Sequence, residues 1–152
     1  MQIEIANLQD APAILALQKL AYQSEAAIYN DYTIPPLTQT LEELKGDFEK
    51  QVVLKVVVDG KIVGSVRGCL KDGMCHIGRV IVDPEFQNQG LGSRLMGAIE
   101  NCFSQARGYE LFTGEKSARN LHFYQKLGYQ IVRTERPEGR VPMVYLEKPT
   151  IQ

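Results

Sequence analysis

The chain has 152 residues, 44% of them hydrophobic and 23% charged, with a net charge of −1 at pH 7. That length suits a single domain spanning 1–152 that can bury a sizeable core, and the composition is ordinary for a globular protein. Near-neutral charge excludes a general nucleic-acid binder, which needs a basic face, and no apolar run approaches the ~18 residues of a membrane span.

Ile3 and Ile5 alternate with polar neighbours as a short first strand. Asp10 is expected to cap a helix that starts at Ala11-Pro12 and runs to about Tyr22, with Ile14, Leu17 and Leu20 at helical spacing. A tyrosine-rich connection (Tyr22, Tyr29, Tyr32) ends in Pro35-Pro36, and Thr40 opens a second helix carrying Leu41, Leu44 and Phe48. From Val52 the period becomes that of a sheet. Val52 to Val58, Ile62 to Leu70 and Cys75 to Val82 read as a three-strand meander, turned at Asp59-Gly60 and Asp72-Gly73. A helix is expected from about Gln89 to Ala106, ended by Gly108, then a short strand from Glu110 to Thr113. Ser117 to Leu127 reads as a helix closed by Gly128, and Tyr129 to Arg133 and Val141 to Leu146 as the last strands. The order is β-α-α-β-β-β-α-β-α-β-β: an α/β (α+β) fold with four helices and a mixed sheet of about seven strands.

The most informative stretch is Val80-Ile-Val-Asp-Pro-Glu-Phe-Gln-Asn-Gln-Gly-Leu-Gly92, followed by Ser93. A β-branched strand, an amide- and glycine-rich turn and a helix start together make an anion site. The first helical N–H groups lack internal partners and carry the positive end of the dipole. Gly90 and Gly92 would let the main chain approach a ligand. No Gly-Lys-Ser or Gly-Lys-Thr occurs, so this is not a P-loop, and Leu95 stands where a dinucleotide fingerprint needs its third glycine.

The remaining pattern, Gln87-x-x-Gly90-x-Gly92, resembles the acetyl-CoA loop of the GNAT N-acetyltransferases. Asn120-Leu-His-Phe-Tyr124-Gln-Lys-Leu-Gly128-Tyr129 is similar to that family's segment near the C-terminus. The resemblance implies the GNAT fold and transfer of an acetyl group from acetyl-CoA to a primary amine, by direct attack in a ternary complex. It implies that amides of Gln87, Asn88, Gln89, Gly90, Leu91, Gly92 and Ser93 hold the pyrophosphate. The main chain of Ile81 and Val82 would pair with the pantetheine arm. Tyr124 is cast as proton donor to the departing thiolate, although a phenol of pKa ~10 gives its proton to a thiolate of pKa ~8.5 uphill. The family's asparagine seven residues before this tyrosine is Ser117 here, and Asn120 is expected to take over the pantetheine contact. Without the glycine turn, Tyr124 would read simply as a packed aromatic.

His76 matches a strand position that holds a glutamate base in the family's histone-acetylating branch. On a regular strand it would share a face with Val80 and Val82, and a neutral imidazole can take the ammonium's proton directly or through water. The alternative is a partly exposed histidine after a hairpin turn. Glu25, Tyr29, Asp31 and Tyr32, with Tyr22, make an acidic and aromatic set suited to an ammonium group; packing on the sheet rim explains them equally. Cys75 and His76 point to opposite faces, so no nucleophile–base dyad is expected. Three cysteines without a C-x-x-C pair or a signal-peptide h-region fit a reducing cytoplasm. The expected partner is a small-molecule or peptide amine, with no metal, nucleic acid or membrane; a homodimer stays open. The rival is a non-catalytic acetyl-CoA-binding or regulatory module of the same fold.

Overall fold

The computed structural model describes residues 2–150. Seven strands form one sheet: β1 (Gln2–Ile5), β2 (Val52–Val58), β3 (Lys61–Lys71), β4 (Met74–Val82), β5 (Gly108–Gly114), β6 (Gln130–Glu135) and β7 (Met143–Pro149). Their spatial order is β1-β2-β3-β4-β5-β7-β6, antiparallel except for the parallel β4–β5 pair. Both hairpin turns read from the sequence are present, with positive φ at Asp59 and Gly60 and at Asp72 and Gly73. Left-handed backbone at both central residues gives the turn a twist that matches the strands.

Six helices occur among the described residues, against the four expected: α1 (Ala11–Ala21), α2 (Gln23–Tyr29), α3 (Pro35–Thr38), α4 (Leu41–Lys50), α5 (Leu91–Cys102) and α6 (Ala118–Lys126). The extra two lie in the tyrosine-rich connection. Thr40 caps α4 through a reciprocal pair, its hydroxyl accepting from the Glu43 N–H and the Glu43 carboxylate accepting from its own N–H. Asp10 does not cap α1. Its carboxylate accepts from the Asn7 N–H and pairs with Lys55 at 2.8 Å. The helix expected to run to Ala106 stops at Cys102, and Gly108 begins β5 instead of ending α5.

The sheet separates two layers. On one face Leu95, Met96 and Ile99 of α5 and Tyr124 of α6 pack on Leu54, Val56, Val66, Cys75, Ile77, Tyr109, Leu111 and Leu146. On the other, Ile14 of α1 and Leu44 of α4 pack on Val53. Arg67 of β3, its side chain 3% exposed, lies beneath that second layer, donating to Asp47 at 3.1 Å and Gln18 at 2.8 Å. Gln18 in turn donates to the Pro36 carbonyl and to Gln39. A buried guanidinium is tolerated because these partners compensate it.

Two departures from regularity in β4 shape everything downstream. β4 pairs with β5 only over Met74–His76, after which the strands diverge and leave a gap. In addition, the β3 register slips between Ser65 and Arg67, so that Arg79 and Val80 together stand opposite Val66. Arg79 has φ 52. This is a β-bulge, which re-aims the side chains on either side of it.

Candidate active site

The glycine turn presents a row of donors. Asn88 and Gly90 have φ of 63 and 77, and Gly90 caps α5. Among the described residues, no main-chain N–H from Gln87 to Ser93 finds a partner, the first backbone donor at this end of α5 being Arg94, which bonds the Gly90 carbonyl. A Cβ built on Gly90 would meet nothing within 4 Å, so the space before the helix is open. These are the elements of an anion cradle. Leu91 buries its side chain in the core and offers only its N–H. Gly92 has a different job from the expected one. A Cβ there would lie 3.1 Å from the Phe123 ring, so its glycine lets α6 pack on α5. The side-chain amide oxygen Oε1 of Gln87 accepts from Arg119 Nη1 at 3.0 Å, which brings a further cation to the turn. The residue-type pattern gave no signal for Arg119.

Beside the turn, the β4 edge from Ile77 to Val82 has no strand neighbour on the β5 side among the described residues. Ile81 and Val82 lie on it. Tyr124 projects from α6 into the core cluster, with Phe123 and Tyr129 ring centroids at 5.1 and 6.1 Å. Burial pushes its phenol pKa upward, and the nearby Tyr22 and Glu25 add to the effect. Outright proton donation is therefore harder than for a free phenol, and the hydroxyl is suited to hydrogen-bond donation.

The α1–α2 corner straps across the gap, which sequence spacing could not reveal. Tyr22 lies against Arg79 of β4, its ring centroid 5.9 Å from the guanidinium carbon. Glu25 reaches the other wall, where one carboxylate oxygen accepts from Ser117 Oγ at 2.6 Å and Asn120 Nδ2 at 2.7 Å. Asn120 also donates to Thr113. Thus Glu25, expected at the acceptor mouth, and Asn120, expected at the pantetheine, touch directly. The Tyr29 hydroxyl accepts from the Lys116 N–H at 2.7 Å, and a side chain at Gly114 would collide with it. Tyr29 and Asp31 also line a cleft with Gly139, Arg140, Val141 and Pro142 of the β6–β7 loop. The Asp31 carboxylate accepts from the Thr33 N–H and hydroxyl, which lowers its pKa, and Tyr32 is exposed.

His76 does not share a face with Val82. Residues paired across β3 and β4 share a face. Val82 pairs with Gly64 and Ile77 with Gly68, both glycines abutting α5, whereas His76 pairs with Cys69 on the other side. The bulge at Arg79 inverts the alternation between His76 and Val82. The imidazole Nδ1 stands 3.8 Å from the Glu110 carboxylate. Cys75 is buried in the α5 layer and burial pushes its thiol up to about 12, so it is a poor nucleophile. His122 is exposed. Among the described residues, no group of three or more His, Cys, Asp or Glu could hold a metal, and no helix is long and apolar enough to cross a membrane.

The family model for the acetyltransferase (GNAT) domain matches residues 49–131. The chain is 33% identical over 79 residues to the N-terminal acetyltransferase B complex catalytic subunit NAA20 of Arabidopsis thaliana, covering 50% of this chain and 45% of that one. It thus spans under half the length of that relative. It is 27% identical over 143 residues to the glucosamine 6-phosphate N-acetyltransferase of Trypanosoma brucei brucei, covering 86% and 90%. Its fold matches the PaiA N-acetyltransferase of Thermoplasma acidophilum, solved with coenzyme A, with a TM-score of 0.80 and 16% identity over 98% of this chain and 99% of that one. The chain belongs to the GNAT acetyltransferase family.

Proposed function

We propose that this GNAT chain transfers the acetyl group of acetyl-CoA to a primary amine, by direct attack while both substrates are bound. The observation that supports this most is the row of unpartnered N–H groups from Gln87 to Ser93, lying next to an open β4 edge and to Tyr124. Acetyl-CoA would supply an activated thioester. The amides of Gln87, Asn88, Gln89, Gly90, Leu91, Gly92 and Ser93 would hold its pyrophosphate, with the main chain of Ile81 and Val82 and the side chain of Asn120 along the pantetheine. Tyr124 would donate a hydrogen bond to the sulfur as negative charge develops there. The acceptor would enter between the α1–α2 corner and the β6–β7 loop, with Glu25 and Tyr29 near its ammonium. Asp31 and Tyr32 would act at the outer rim. His76, on the face away from α5, would take the amine proton through water.

Thermal stabilisation by acetyl-CoA is the first test, since a ligand that binds only the folded state must raise Tm. Gly90→Ala costs about 1 kcal/mol of fold stability through its left-handed backbone, yet should remove most of the acetyl-CoA shift. Release of CoA thiol with a panel of amines is the second test. A shift without turnover would favour the binding-module reading, and no shift at millimolar acetyl-CoA would overturn both. The compartment we propose is a reducing one such as the cytoplasm, on the three cysteines without a C-x-x-C pair.

A further inference from the structure

Among the described residues, Arg79 is a cation without a counterion. Its Nε is buried without a hydrogen-bond partner, and no carboxylate forms a salt bridge with it among the described residues. Its neighbour in charge is another cation, Arg67, whose pKa is lowered to about 10 by burial first and by the charge of Arg79 second. Asp47, the one acidic partner of that pair, is bound to Arg67 and also accepts from Gln39. A half-buried guanidinium beside a second one is costly unless an anion joins it.

The backbone adds to this cost. Arg79 adopts φ 52, which disfavours most non-glycine residues. Bulges of this kind aim side chains at sites, and this one turns Arg79 towards Tyr22 and the α1–α2 corner, away from the α5 layer where the phosphate cradle lies. The same corner carries Glu25, three residues from Tyr22, held by Ser117 and Asn120 on the opposite wall. Negative and positive groups therefore flank Tyr22 where the gap opens beside Tyr124.

Resting on the acetyl-transfer reading above, we infer that the acceptor is a small molecule bearing an anionic group, carboxylate or phosphate, a few bonds from its amine, and that Arg79 binds this anion. Arg79 offers a planar fork of donors matched to either group, while Glu25 draws the ammonium end.

The test compares matched acceptors that differ only in the anion: glucosamine 6-phosphate with glucosamine, phosphoethanolamine with ethanolamine, and amino acids with their amides. The first two pairs report phosphate and the third carboxylate. Wild type should favour the charged member at least about tenfold in kcat/KM, as expected for a charge-assisted contact. Arg79→Asn keeps a residue that accepts left-handed backbone, and should erase the preference through KM while leaving kcat for neutral amines and the acetyl-CoA thermal shift unchanged. Arg79→Lys should retain part of the preference. Equal use of charged and neutral amines, an unaltered preference in Arg79→Asn, or loss of acetyl-CoA affinity instead of acceptor KM would each overturn the assignment. If no amine releases CoA, the acetyl-transfer reading fails by itself. Titration of the same pairs onto CoA-loaded wild type and Arg79→Asn then decides whether Arg79 binds the anion.

Discussion

Replacing Tyr124 with phenylalanine separates chemistry from architecture unusually well here. The ring packs against Phe123 and Tyr129 and is 8% exposed, so phenylalanine preserves its contacts. No hydrogen bond joins its hydroxyl to the rest of the described protein, whereas the Tyr129 hydroxyl donates to Glu100 at 2.7 Å. Tyr124→Phe should therefore change unfolding free energy by less than about 0.5 kcal/mol, short of the ~1 kcal/mol of a lost intramolecular hydrogen bond. In catalysis the hydroxyl would face a developing thiolate. A hydrogen bond to a charged group is worth about 1.5–3 kcal/mol, and about 1.4 kcal/mol is tenfold in rate, so kcat should fall roughly 10- to 150-fold. Release of CoA thiol under single-turnover conditions, where chemistry is rate-limiting, measures this directly. The acetyl-CoA thermal shift should stay within error of wild type. Because burial raises the Tyr124 pKa above its ordinary 10.0, the phenol stays protonated through the assay range and contributes no alkaline loss of activity. An unchanged single-turnover rate would remove Tyr124 from the mechanism. A slow mutant that is also several kcal/mol less stable would show that the hydroxyl has a structural partner.

Two further outcomes concern the scaffold. Asp47→Ala strips Arg67 of its counterion and should cost about 3 kcal/mol, hence roughly 6–12 °C in Tm for a chain of this size; Asp47→Ala with Arg67→Met should recover part of the loss, and an unchanged urea midpoint in the single variant would show the pair to be unimportant. Stability should also decline above pH ~9. Burial raises Cys75 from 9.0 to about 12 and raises Tyr109, Tyr124 and Tyr129 above 10.0, so the unfolded chain loses these protons first while the folded one keeps them. Arg67, lowered to about 10, opposes this as a single group. Urea midpoints from pH 8 to 11 that fail to fall would refute the account.

Local chemistry was legible in the sequence wherever it was self-contained. The two Asp-Gly hairpins, the Thr40 cap and the strand–glycine–helix turn each depend on a few adjacent residues, and all are found in the fold. The tyrosine-rich connection hid α2 because a seven-residue helix capped by Tyr22 and closed by Asn30 has neither a capping side chain nor an amphipathic repeat long enough to register. The bulge at Arg79 adds one residue that period-two counting does not allow for, so the count carried His76 to the wrong face. Tertiary relations were out of reach. Glu25 meets Ser117 across 92 positions of chain, and Gly92 is small because Phe123 lies against it. Neither relation leaves a local trace.

The position of β7 has a consequence for how the protein is made. β1 to β4 pair in the order in which they are synthesised, so that half of the sheet can zip up as it leaves the ribosome. β5 and β6 cannot follow suit, since β7 lies between them and supplies the ladder for both. A chain ending before Met143 would hold the glycine turn and the β4–β5 pair but lack the strand that pairs with the other edge of β5. Its unpaired β5 edge would be a template for aggregation and a target for quality control. The far half of the sheet is thus completed only when β7 docks between β5 and β6.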